Sequence, residues 1–181
     1  MSESERYSSE AESPVFANMQ ARYSCRDFQD RVVEDDLIDE ILRAGQVAPS
    51  ACNLQPYFFY VVTGESLARL NALRPWYGAP VVILGCYCSG QGWVRGSDHV
   101  SFRQFDLGLS MGQMALRAQD LGLGSCFIAS FPPFELQEAL KLPPEHCPEI
   151  ALAVGYPQAV FQQNVQHKKR KSKTELVGYR R

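Results

Sequence analysis

Arg22-Tyr23-Ser24-Cys25-Arg26 sets two guanidinium groups and two hydroxyls beside one another within five residues, just before a helical pattern begins. That grouping suits a ligand with two or more negative charges, a phosphate foremost. An arginine fork bonds two phosphate oxygens at once, and Ser or Tyr hydroxyls fill the remaining acceptor positions. The same pentapeptide also reads as a solvated basic turn with Tyr23 packed on the surface, so its role depends on what the rest of the chain places beside it. Other chemistries find little footing. The three His are not at metal-ligand spacing from one another, and no Ser-His-Asp or paired-carboxylate arrangement stands out. Cys25, Cys52, Cys86, Cys88, Cys126 and Cys147 read as reduced thiols. Cys86 and Cys88, two apart in a strand-like run, are placed neither to bridge each other nor to form a zinc knuckle.

The elements that must position these residues follow from the apolar pattern. Pro14 takes a first helical position, with Val15, Phe16 and Met19 as an apolar face. Leu37, Ile38, Ile41 and Leu42 mark a second helix with acids in its first turn and Gly45 near its end. Ala48 to Pro56, bounded by prolines, is neither a regular helix nor a central strand. Tyr57 to Val62 and Pro80 to Tyr87 read as strands around a short helix, Glu65 to Leu73. A Gly-rich loop carrying Trp93 leads to the longest helix, about Ser101 to Leu121, whose apolar residues on several sides predict burial around much of its circumference. Ser125 to Ala129 and Pro148 to Tyr156 complete the strands, with a helix from about Pro133 to Leu140 between them.

Strands and helices in this order favour an α+β sandwich over a doubly wound parallel sheet. A dinucleotide fingerprint fails, because Gly122-Leu123-Gly124 lacks a third glycine and follows a helix. At 181 residues, 45% hydrophobic and 21% charged, the chain has the composition of one globular domain. Its net charge of -2 gives no reason to expect nucleic acid, although seven Lys or Arg cluster from His167 onward. Residues 1–13, polar and acidic, read as a disordered leader rather than a secretory signal, and no apolar run is long enough to span a membrane. A cytoplasmic protein is therefore expected. The tail from about residue 158 to 181 has little power to build its own core and is expected to cross another surface, which points to a homodimer.

Four stretches in order resemble the nitroreductase family of FMN-dependent flavoproteins: Arg22 to Phe28, Ala48 to Pro56, Asp106-Leu107-Gly108 with Leu121 to Cys126, and Ala153 to Pro157 followed by Lys168-Lys169-Arg170-Lys171. The resemblance implies an intertwined α+β homodimer with a mostly antiparallel sheet flanked by helices and FMN at the subunit interface. Arg22, Tyr23, Ser24 and Arg26 would hold the phosphate and ribityl chain, joined by Lys168 and Arg170 of the tail. Pro49, Ser50 and Asn53 would approach the flavin from the partner, Asn71 and Arg74 would touch its pyrimidine edge, and Phe127, Ile128, Ala129 and Ser130 would form the turn beside the ring. The implied activity is ping-pong hydride transfer from NAD(P)H to nitroaromatics, quinones or similar small electron-poor acceptors. Hydride carried at flavin N5 requires no catalytic side chain. Other chemistry on the same fold, such as dehalogenation or flavin fragmentation, and a non-catalytic flavin-binding protein stay open. Asp106 reads as structural, near a helix end. Trp93, Phe102 and Phe105 read either as core or as the substrate side of the flavin. Tyr23 departs from the family pattern, standing where many relatives carry a second Arg or a His, which removes one positive charge from the phosphate end.

Overall fold

The computed structural model describes residues 13–158 and 169–180, so the expected leader falls almost wholly outside the described residues, as does Lys168. The order of elements is α1 (Pro14–Ala21), α2 (Asp35–Gln46), a 3-10 turn (Ala51–Asn53), β1 (Tyr57–Val62), α3 (Gly64–Leu73), β2 (Val81–Cys88), α4 (Arg103–Asp120), β3 (Gly124–Ile128), α5 (Pro133–Ala139), β4 (His146–Gly155) and α6 (Lys173–Leu176).

Every strand pairing is antiparallel, in the order β1-β2-β4-β3, so the α+β expectation holds. The central strands β2 and β4 are apolar on both faces, and strict alternation sorts their side chains into two cores. Val82, Leu84, Cys86, Ala151 and Ala153 face a layer containing Leu67 and Leu70 of α3 and Leu136 of α5. Val81, Ile83, Leu152 and Val154 face Ile38 and Ile41 of α2 and Leu107, Met111 and Met114 of α4. The result is a three-layer sandwich.

Two features of this frame differ from the sequence expectation. Helix α4 is buried along one face only. Phe105 and Leu109 are 60% and 36% exposed, and a Cβ added at Gly108 or Gly112 would meet nothing within 4 Å. Helix α1 buries no residue, so its apolar face of Val15, Phe16 and Met19 is open, and it is tied to the body through the Asn18 amide, which donates to the Leu116 carbonyl at 2.9 Å. Apolar residues mark surface withdrawn from water, and periodicity does not distinguish the protomer's own core from a face covered by another chain.

Candidate functional site

The Arg22–Arg26 stretch leaves α1 and runs beside the outer edge of β3. Ser24 bridges Ser125 in parallel, and the Cys25 amide donates to the Ser125 carbonyl at 2.8 Å. The approach is close enough that a Cβ at Gly124 would lie 2.8 Å from both Cβ and Sγ of Cys25, so only glycine fits there without displacement. Phe28 bridges Pro157, and the Gln29 amide donates to the Tyr156 carbonyl at 2.8 Å, which locks the stretch to the end of β4.

Three guanidinium groups converge above this edge. Burial pushes the Cys126 thiol up, while the charges of Arg26, Arg74 and Arg22 and a hydrogen bond with Ser24 pull it the other way. Two of these arginines lie near the Tyr77 ring, with the Arg26 and Arg74 guanidinium carbons 5.9 and 5.7 Å from its centroid. Arg74 reaches across to the carbonyl and hydroxyl oxygens of Ser130, so these two candidates from distant parts of the chain meet directly. Its Nε is buried with no partner. Among the described residues no carboxylate forms an ion pair with Arg22, Arg26 or Arg74. Tyr23 is held protonated, its pKa pushed up to about 12 by burial and the neighbouring Cys25, so its hydroxyl keeps a proton to donate. Guanidiniums with no carboxylate partner among the described residues, with hydroxyls beside them, suit a dianionic group such as phosphate.

The remaining candidates divide by position. Phe127 is 37% exposed and Ala129 and Ser130 are exposed, whereas Ile128 is buried in the core at the end of β3. Asn71 is exposed near the end of α3, one turn before Arg74. Arg170 lies on the described part of the tail and donates to the Lys169 carbonyl at 2.8 Å.

Pro49, Ser50 and Asn53 are elsewhere. Their loop precedes β1, the opposite edge strand of the sheet from β3, and its Ala51 amide bonds to Asp106 of α4 on the sheet's other face. One protomer thus does not bring the arginines and this loop together. The loop is held tightly. Ser50 Oγ accepts from the Gln55 amide at 3.1 Å, and Gln55 Nε2 donates to the backbone carbonyl and side-chain oxygen of Asn53 at 3.2 Å each. Cys52, Asn53 and Gln55 all take positive φ, at 52°, 54° and 48°. Three such non-glycine residues in four positions make a strained backbone of the kind found at ligand clamps.

Trp93, Phe102 and Phe105 form an edge-to-face ladder with centroids 5.0 and 5.8 Å apart, and the Arg95 guanidinium carbon sits 5.4 Å from the Phe102 ring centroid. Two cavities, of about 350 and 570 Å³, open away from the arginines, the first between α1 and α4 and the second between α2 and β1. Among the described residues no group of three or more His, Cys, Asp and Glu is placed to hold a metal, and no helix is long and apolar enough to cross a membrane. Sequence reasoning missed Tyr77, which stands in a loop at φ 59° and acquires meaning only when Arg26 and Arg74 fold against it.

The chain is similar to known proteins in sequence and fold. A protein of Methanothermobacter thermautotrophicus, provisionally named an NADH dehydrogenase/NAD(P)H nitroreductase, is 31% identical over 153 residues, spanning 79% of this chain and 77% of its own. The crystal structure of a nitroreductase family protein from Clostridium difficile 630 superposes with a TM-score of 0.85 at 30% identity, covering 93% of this chain and 98% of the other. A structure from Desulfovibrio desulfuricans, described provisionally as a nitroreductase in complex with FMN, gives a TM-score of 0.76 at 29% identity, covering 94% and 99%. The family model for the nitroreductase family matches residues 19–74 and 68–156, which enclose the arginine stretch, the strained loop, α4 and all four strands. By both its sequence and its fold, the chain belongs to the nitroreductase family.

Proposed function

We propose that this chain forms a homodimeric, FMN-dependent NAD(P)H oxidoreductase. The observation that carries the reading is the placement of two ligand-adapted features on opposite edges of one sheet: beside β3, arginines with no carboxylate partner among the described residues, and before β1, a strained, polar loop. The donor set fits FMN. Arg22 and Arg26, with the hydroxyls of Tyr23 and Ser24, neutralise and orient the phosphate, and Lys168 and Arg170 of the tail add charge to the same end. Arg74, steadied by Ser130 and Tyr77, holds a positive charge toward the ring, where it favours the electron-rich reduced flavin. Phe127 and the backbone of Ile128, Ala129 and Ser130 flank the ring, with Asn71 at its edge. When bound, FMN supplies two-electron hydride chemistry between a nicotinamide and an acceptor.

The second subunit is needed because Pro49, Ser50 and Asn53 are too far round the sheet to serve their own chain's arginines. The open apolar face of α4 is the natural surface for that subunit, and the tail from about residue 158 crosses to it. Nitroaromatics, quinones and similar small electron-poor molecules, taken in ping-pong fashion, are the acceptor class. The test is an anaerobic absorbance titration of the purified protein with NADH and with NADPH. Flavin bands that bleach with either nicotinamide and return on adding a quinone are expected. A colourless protein that takes up no added FMN would sink the proposal.

A further inference from the structure

We infer that Asp106 is a positioning residue for flavin binding, acting through the strained loop rather than on the ligand itself. Its carboxylate lies in the first turn of α4, is 1% exposed, and accepts the Ala51 amide at 2.9 Å through Oδ1. The second oxygen, Oδ2, is buried with no hydrogen-bond partner. A buried acid with a single direct partner is costly, and the positive end of α4 offsets only part of that cost. The cost is explained by what the contact does.

The other hydrogen bonds of residues 49–55 are local to the loop and its junction with β1. Asn53 N–H donates to the Ser50 carbonyl, Leu54 N–H to the Ala51 carbonyl, Tyr57 N–H to the Gln55 carbonyl, Gln55 N–H to Ser50 Oγ, and the Gln55 amide to Asn53. Among the described residues, the bond from Ala51 to Asp106 is the one hydrogen bond that joins this loop to a distant part of the molecule. A run of positive φ persists only where its surroundings over-determine it. Asp106 supplies that determination at the residue that opens the 3-10 turn, and so sets where Ser50 and Asn53 point relative to α4. The same helix carries, on the flank next to Asp106, the exposed Phe105 and Leu109 that face the proposed second subunit. Asp106 therefore fixes the loop to the element that docks, and the loop arrives at the partner's flavin in a defined orientation. This rests on the proposed function for its ligand, but not for its effect on the loop.

The experiment compares Asp106→Ala, Asp106→Asn and Ala51→Pro with the wild type. Ala51→Pro removes the donor and leaves the acid, and it follows Ser50 at φ -140°, ψ 156°, a conformation that accepts proline after it. Two measurements are made: amide hydrogen exchange of residues 50–55 in FMN-free protein, and the FMN dissociation constant from fluorescence quenching. In Asp106→Ala, loop exchange is expected to quicken and FMN affinity to fall by about tenfold or more, with exchange in β2 and β4 unchanged. Asp106→Asn keeps an acceptor oxygen and is expected to stay within about threefold of wild type in both. Loop exchange in Asp106→Ala equal to wild type, or Asp106→Asn as damaging as Asp106→Ala, overturns the inference. Should Asp106→Ala not fold, Ala51→Pro decides, since a loop as protected as wild type without the Ala51 donor also overturns it. Wild-type protein that takes up no FMN removes the proposed function, while the exchange comparison still decides the role of Asp106.

Discussion

At the scale of single residues, the site is built by close approach as much as by charge. Arg22, Tyr23, Ser24 and Arg26 could be singled out from residue type as candidates for an anion, but the same five positions also read as a solvated basic turn, and only the further stretches in family order pointed to a phosphate. Arg74 was not legible in that way. Its place beside Ser130 and Tyr77 depends on α3 and β3 folding onto the same layer, and only the family resemblance pointed to it. Gly124 entered the sequence reading only within the Leu121 to Cys126 stretch and the failed dinucleotide fingerprint, yet it is what lets Cys25 lie against β3. A valine there would drive its methyl groups into Cys25, and the neighbouring arginines would move with the displaced backbone. Gly124→Val is expected to cost about 1–3 kcal/mol of stability through overpacking and to weaken FMN binding in the protein that still folds. Paired thermal melts and fluorescence titrations check this. A variant with wild-type FMN affinity would show that the arginines do not depend on that contact.

At the scale of elements, β2 and β4 were readable because short, continuous apolar runs bounded by Pro and Gly are what strands buried on both faces look like, although such a run does not say which side chain faces which layer. Helix α4 was readable as a helix but not in its burial. Leu107, Met111, Met114 and Ala118 fill the core, while Phe105 and Leu109 lie open beside Gly108 and Gly112. A one-dimensional pattern records only that these side chains avoid water, not which chain covers them. This gives the two possible roles of α4 opposite consequences for one substitution. If the face is solvent, Gly108→Arg merely replaces a poor helix former with a good one and raises stability by up to about 1 kcal/mol. If the face packs against a second copy, the same change places a long charged side chain in an apolar contact. We expect the second outcome: Gly108→Arg retains wild-type secondary structure by circular dichroism and elutes as a monomer in light-scattering chromatography. A variant that stays dimeric would remove α4 from the interface.

At the scale of the whole molecule, the sheet separates the two features that the proposed flavin site would join. The arginines belong to the β3 edge, the strained loop to the β1 edge, and the strands between them are rigid, buried and paired on both sides. No rotamer change within a protomer closes that distance, so a site using both features draws them from two chains related by symmetry. A mixing experiment separates this arrangement from one in which each chain acts alone. One variant, Arg22→Ala with Arg26→Ala, loses the phosphate end but keeps its loop. The other, Asn53→Trp, blocks the loop but keeps its arginines. Each alone is expected to bind FMN poorly. In a mixed dimer, however, one of the two sites combines intact arginines from the second variant with an intact loop from the first, while the other site inherits both defects. Unfolding and refolding an equal mixture makes about half of the dimers mixed, so about a quarter of all sites should regain FMN affinity and nicotinamide-driven bleaching. If the two features served the same chain, neither polypeptide would contain both and no site would recover. Recovery near a quarter therefore assigns the loop to the partner's flavin. Its absence, with mixed dimers confirmed by mass spectrometry, would return both features to a single chain and require a movement of the loop that its Asp106 strut opposes.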